Sequence, residues 1–150
     1  MTAYRNILFE TVEPRIAQIT LNRPQTMNAY TNPLCDEVVD ALGRYQHDDE
    51  LRCLIITGAG RGFCSGGDVS GSSDRDNRPV FRTKQMGHGE EMRVGMHRVV
   101  ARLHRMDKPV VASVNGPAVA GGLTFALACD FRIAADTAKF GDTSGRFGQT

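Results

Sequence analysis

Clustered glycine is the feature that most restricts this chain. Eight of the 16 glycines among its 150 residues gather after two apolar runs. Leu54-Ile55-Ile56 runs into Gly58-Ala59-Gly60-Arg61-Gly62, and Gly66-Gly67 follows closely. Val110-Val111-Ala112-Ser113-Val114 passes through Asn115-Gly116-Pro117 to Gly121-Gly122. Glycine has no Cβ, so backbone there can turn left-handed or come close to other groups. The clusters therefore point to sites built from backbone. Two plainer uses compete with this: a simple turn at Gly66-Gly67, and close helix–strand packing at Gly121-Gly122.

Hydrophobic periodicity supplies the elements around these loops. Residues 6–13 and 16–22 read as strands, with Ala17, Ile19 and Leu21 alternating with Gln18 and Thr20. Glu13-Pro14-Arg15 connects them, and Pro24 ends the second. A helix is predicted over 31–46, capped by Thr31 or Asn32 with Pro33 in its first turn. Leu34, Val38, Ala41, Leu42 and Tyr45 form its apolar face, and Asp36 and Glu37 suit its positive end. Residues 70–89 read as a polar loop. A second helix is predicted over 90–106, burying Met92, Met96, Val99, Val100, Leu103 and Met106. Its Arg93, Arg98, Arg102 and Arg105 read as a solvated face. A strand over 110–114, a helix from Gly121 to about Cys129 stopped by Asp130, and a strand over 131–135 follow. Alternating helices and buried strands predict an α/β fold in one domain over 1–150.

Composition excludes several functions. A formal net charge of +1 gives no case for nucleic acid or for an acidic partner. No run of about 18 apolar residues is present, so no membrane span is expected. Cys35, Cys53, Cys64 and Cys129 form no C-x-x-C pair, which argues against zinc and redox motifs. With no signal-peptide pattern at the start, they suggest free thiols in a reducing cytoplasm. His47, His88, His97 and His104 lack metal-ligand spacing, so no metal is expected. No G-x-S-x-G nucleophile elbow occurs. The loop at Gly58 mimics a dinucleotide-binding turn, but Phe63 stands where that fingerprint needs its last glycine.

Particular blocks carry a resemblance. They are Asn22-Arg23-Pro24 with Met27-Asn28-Ala29, Phe63-Cys64-Ser65-Gly66-Gly67-Asp68-Val69, and Lys108-Pro109-Val110-Val111-Ala112 through Gly121-Gly122. Cys129-Asp130-Phe131-Arg132-Ile133-Ala134 and Ala138-Lys139-Phe140-Gly141 complete the set. In content and order they resemble the N-terminal part of the enoyl-CoA hydratase/isomerase (crotonase) family. The resemblance implies a crotonase-like ββα superhelix, here partial and without its C-terminal helical part. It implies an acyl-CoA thioester as substrate, coenzyme A being part of that substrate and no separate cofactor being needed. It also implies a homo-oligomer, trimer or hexamer, for the full-length chain, of which this sequence reads as a fragment.

By position in the resemblance, the backbone N–H groups of Gly67 and Gly121 form the oxyanion hole. Such donors stabilise the charge that develops on a thioester oxygen. Met27, Ala29, Ser65, Gly66, Asp68, Val69, Gly122, Thr143 and Ser144 then fall along the substrate channel. For Asp68, capping of a following helix is the competing role. For Thr143 and Ser144 it is ordinary capping of loop backbone. The two glutamates of the family's hydratases fall at Thr124 and Ser144, neither a carboxylate. The Cys64–Asp68 run also resembles the dihydroxynaphthoyl-CoA synthase branch, where ring closure uses the same hole. The expected function is enoyl-CoA hydration or isomerisation type chemistry. A non-catalytic acyl-CoA-binding or interaction fragment is the main alternative, and a dinucleotide-binding domain a distant one.

Overall fold

The structure is a computed structural model that describes residues 4–68 and 93–143. Val69, Met92, Ser144 and the polar loop over 70–89 lie outside the described residues.

Two antiparallel strands open the fold, β1 (Ile7–Glu13) and β2 (Ile16–Leu21). Arg15 turns between them at φ 69°. The alternation predicted for β2 is realised, with Ala17, Ile19 and Leu21 buried. Three further strands join in parallel: β3 (Cys53–Gly58), β4 (Val110–Val114) and β6 (Phe131–Ala134). The sheet order is β1-β2-β3-β4-β6. Parallel neighbours need crossovers. Here α1 (Asn32–His47) joins β2 to β3, α2 (Met96–Leu103) lies between β3 and β4, and α3 (Gly121–Ala128) between β4 and β6. A small second sheet pairs β5 (Ala118–Val119) with β7 (Phe140–Gly141).

The α1 helix forms as its sequence dictates. Thr31 is the cap, its hydroxyl accepting from the Leu34 amide at 3.3 Å, and Pro33 sits in the first turn. All of Leu34, Val38, Ala41, Leu42 and Tyr45 are buried. Asp36 and Glu37 lie past the first turn of α1, and each makes a specific contact. Glu37 accepts from the Arg5 and Asn6 amides and from the Asn6 side chain, tying the helix to the chain entering β1. Asp36 accepts from Arg98 of α2 at 2.6 Å. Tyr45 donates to the Pro109 carbonyl at 2.9 Å, and Lys108 donates to the Tyr45 and Asp48 carbonyls. The end of α1 is thereby fixed to the start of β4.

Two expectations change. The second helix is shorter than predicted, because a turn at Gly95 sets α2 off from the helical residues 93–94. Its arginine face is also only partly solvated, since Arg98 pairs with Asp36 and Arg102 is half-buried beside Gly43 of α1. Strand β6 is not a buried strand. Phe131 is 62% exposed and Ile133 68%, because β6 is the sheet's edge and no described residue covers them. Leu127 and Phe140 are also exposed, at 58% and 49%.

Removing the α1 cap tests the local reading. Thr31→Ala is expected to lower stability by about 1 kcal/mol. In urea denaturation the midpoint falls while the slope is unchanged.

Candidate functional site

The site is assembled from two loops that follow neighbouring parallel strands. The first, residues 59–68, leaves β3. The second, residues 115–120, leaves β4 and enters α3. Two asparagines shape the first loop. Buried Asn28 donates to the Ala59 and Gly62 carbonyls, both at 2.9 Å, and accepts from the Arg23 amide. Asn115 accepts from the Gly58 amide at 3.1 Å and donates to the Gly60 carbonyl at 3.0 Å. Residues 59–68 form turns and bridges rather than a helix start, so the glycine run after β3 does not have dinucleotide-binding geometry.

Backbone hydrogen bonds join the two loops. Phe63 and Cys64 amides donate to the Pro117 carbonyl, and the Val119 amide donates to the Cys64 carbonyl at 3.0 Å. Glycine permits this approach. A Cβ on Gly116 would stand 2.2 Å from the Arg61 carbonyl oxygen, and one on Gly122 would stand 2.0 Å from that of Cys64. Gly122 was expected along the substrate channel. The structure buries it against the Cys64 carbonyl of the first loop. Gly66 turns left-handed at φ 100°, and a Cβ there would stand 3.6 Å from the Gly121 nitrogen. Ala120, at φ 49°, is strained for a residue with a side chain, and it sets the entry angle of α3.

Gly67 and Gly121 therefore sit together at the seam of the loops. Neither amide donates to another backbone group among the described residues. Gly121 is the first residue of α3, where free N–H groups and the helix dipole favour negative charge. This is a pair of neighbouring donors with no ionised side chain of its own.

The remaining expected residues divide. Met27 and Ser65 flank the first loop, the Ser65 amide donating to the Met27 carbonyl and its hydroxyl to the Thr26 carbonyl. Ala29 is buried, and its carbonyl accepts from the Arg23 guanidinium. Arg23 also pairs with Asp68 at 2.8 Å, the carboxylate only 4% exposed. Within the described residues Asp68 thus locks the loop to the Asn22-Arg23-Pro24 turn, and a helix for it to cap would lie beyond them. Thr143 is half-buried. Thr124 is exposed, with its hydroxyl on the Ala120 carbonyl at 3.5 Å.

Tyr30 was not anticipated. Its amide donates to the Gly66 carbonyl at 2.8 Å and its carbonyl accepts from Asp68. Its ring reaches the second loop, where a Cβ on Gly121 would stand 2.4 Å from the ring edge. A lone tyrosine following Met27-Asn28-Ala29 carries no signal of this in the sequence. Arg23 and Asn28 lie inside quoted blocks, but their hydrogen-bonding roles need the folded loop to be seen.

Burial keeps the surrounding acids neutral. It raises the Tyr30 phenol to about 12 and the Cys64 thiol to about 11, the latter against the lowering effect of the Gly66 and Tyr30 amides. Cys35 and Cys129 are raised to about 12 from the ordinary 9.0, again by burial. These thiols are not nucleophiles at neutral pH.

Two outcomes follow. Gly122→Ala is expected to lose at least about 3 kcal/mol, because backbone must shift. Gly141→Ala, with nothing within 4 Å of its Cβ, is near neutral by the same urea assay. The raised thiols also set an alkaline limit. The folded protein holds these protons after the unfolded chain has released them, so their stabilisation is complete below the ordinary value of 9.0. Urea midpoints should be level from about pH 7 to about pH 8, then fall progressively as pH rises above about 9.

The family model for enoyl-CoA hydratase/isomerase matches residues 11–150. A Mycobacterium bovis protein named as a probable enoyl-CoA hydratase is 38% identical over 139 residues, 89% of this chain and 46% of that protein. The 1,2-epoxyphenylacetyl-CoA isomerase of Escherichia coli is 39% identical over 129 residues, 86% of this chain and 47% of that protein. An enoyl-CoA hydratase/isomerase crystal structure from Xanthobacter autotrophicus superposes with a TM-score of 0.84 at 34% identity, covering 97% of this chain and 52% of that one. The chain spans about half the length of the curated relatives it matches. Its fold is the corresponding part of the crotonase fold, and the chain belongs to the enoyl-CoA hydratase/isomerase family.

Proposed function

We propose that this chain holds an acyl-CoA thioester with its carbonyl oxygen between the amides of Gly67 and Gly121. In the whole protein this would serve enoyl-CoA hydration or isomerisation type chemistry. The observation that carries the reading is the meeting of two glycine loops at one seam, with both amides left without a backbone acceptor among the described residues. As the carbonyl gains enolate or tetrahedral character, charge builds on its oxygen. Fixed N–H donors stabilise that charge more than the ground state, which lowers the barrier. The dipole of α3 adds to the effect at Gly121.

The described residues assign no general base. Thr124 stands where a hydratase carboxylate is expected, and its hydroxyl is turned onto its own helix. This favours a second reading, in which the chain binds and polarises the thioester without turnover. Both readings use the same two amides, and neither needs a metal or a cofactor beyond the coenzyme A of the substrate. Homo-oligomerisation and a cytoplasmic setting remain part of the proposal. No helix among the described residues is long and apolar enough to cross a membrane.

The test compares crotonyl-CoA with free coenzyme A by titration calorimetry. Gly67→Pro deletes one donor. Gly67→Ala keeps the amide and adds only a Cβ 3.4 Å from the Tyr30 hydroxyl. The proline variant is expected to lose at least about tenfold in thioester affinity, on the scale of one lost charge-assisted donor. The alanine variant should lose only a few-fold. Equal binding of crotonyl-CoA by the original chain and by Gly67→Pro would sink the assigned hole.

A further inference from the structure

We infer that Tyr30 is a positioning residue that sets the spacing between the two donor amides. The inference rests on the proposed thioester site and concerns how that site is kept open. Tyr30 touches both loops in different ways. Through its backbone it belongs to the first loop, bridged to Gly67 by hydrogen bonds with Gly66 and Asp68. Through its ring it abuts the second. A Cβ on Gly121 would stand 2.4 Å from Cε1 and 2.9 Å from the hydroxyl oxygen, and a Cβ on Gly67 would stand 3.8 Å from Cε2 and 3.4 Å from the same oxygen. The two edges of one aromatic ring thus face the two donor glycines.

A ring in that position acts as a strut. Hydrogen bonds at Pro117 and Cys64 draw the loops together, and the packing of Gly66 against Ala120 and Gly121 brings them close to contact. The rigid ring opposes further closure on the side where the two glycines lack a Cβ. Its backbone anchorage prevents it from leaving without opening the bridge at Gly67. Spacing matters because donors of this kind act only at hydrogen-bonding distance from the developing oxyanion. A misplacement of about 1 Å in such a site costs on the order of 100-fold. Gly121 also acquires a second reason to be glycine. Any side chain there would meet the strut, so the tyrosine and the glycine form a matched pair.

In this inference the bulk of the ring carries the role, since its edge comes closer to Gly121 than the hydroxyl does. Tyr30→Phe should therefore keep most of the effect, Tyr30→Leu less, and Tyr30→Ala little. The readout is the absorption of para-dimethylaminocinnamoyl-CoA, which moves to longer wavelength when its thioester carbonyl is polarised. This reports donor geometry directly and needs no turnover. Thermal melts and circular dichroism of each variant show that the fold is retained, and Tyr30→Leu serves if Tyr30→Ala is unstable. The expected result is a clear red shift with the original chain, at least half of it with Tyr30→Phe, and most of it lost with Tyr30→Ala or Tyr30→Leu. A full red shift in the folded alanine or leucine variant would overturn the strut and leave the proposed function standing. Loss of the shift in Tyr30→Phe would also overturn it, by moving the role to the hydroxyl. No red shift in the original chain would remove the proposed function itself, and this inference with it.

Discussion

Direct contact between two stretches of backbone underlies everything else in this molecule. At Gly116 and Gly122, carbonyl oxygens of the first loop occupy the space a side chain would take. Overlap with a backbone oxygen cannot be relieved by a rotamer change, so these positions set the distance between the loops. The parallel sheet delivers the loops to that contact. Strands β3 and β4 are neighbours and run the same way, so the loops that leave them emerge side by side. This is the place in open α/β sheets where ligands are usually bound.

The electrostatics of the seam follow from its being backbone. Asp68, the carboxylate in the loop itself, is held by Arg23 and nearly buried. A buried pair of this kind contributes less to net stability than to fixing where its two segments lie, since desolvation offsets much of the attraction. Here the segments are the turn after β2 and the end of the first loop. The nearby thiols and phenol stay neutral because burial disfavours their charged forms. With its own carboxylate neutralised, the seam presents N–H groups and the positive end of α3. In the proposed function, a developing oxyanion would meet attraction there without a titratable donor.

Much of this was legible in the residues, and the failures have physical causes. Strand β2 and helix α1 could be read closely because one face of each is buried and the other is not, so periodicity reports burial. Strand β6 forms where it is read, over Phe131–Ala134. Apolar Phe131 and Ile133 signal a buried strand, but burial depends on what lies beyond the edge. The two glycine pairs were visible, yet the division of labour within the second pair was not. Gly121 packs against the Tyr30 ring and Gly122 against the Cys64 carbonyl, a difference that only the folded loops reveal. Asn28, Arg23 and Tyr30 act across gaps of 31 to 45 residues in the first two cases, and across the loop seam in the third. Nothing in local spacing encodes such contacts.

The same reasoning explains why relatives named for different reactions match this chain comparably well. A Mycobacterium bovis relative is named as a hydratase and an Escherichia coli relative as an isomerase, at 38% and 39% identity. The residues that build the seam are constrained by backbone geometry: glycines that cannot carry a Cβ, asparagines that satisfy buried carbonyls, and an ion pair that closes a turn. None of them moves a proton. Stabilising charge on a thioester oxygen is common to every reaction that passes through an enolate or a tetrahedral adduct. The reactions differ in which group donates or removes a proton, and where it stands. That choice lies with side chains around the seam, such as the position occupied by Thr124, which can change without disturbing how the loops pack. The loops therefore mark the family, and under the proposed function the reaction would be set by side chains around them rather than by the backbone contact itself.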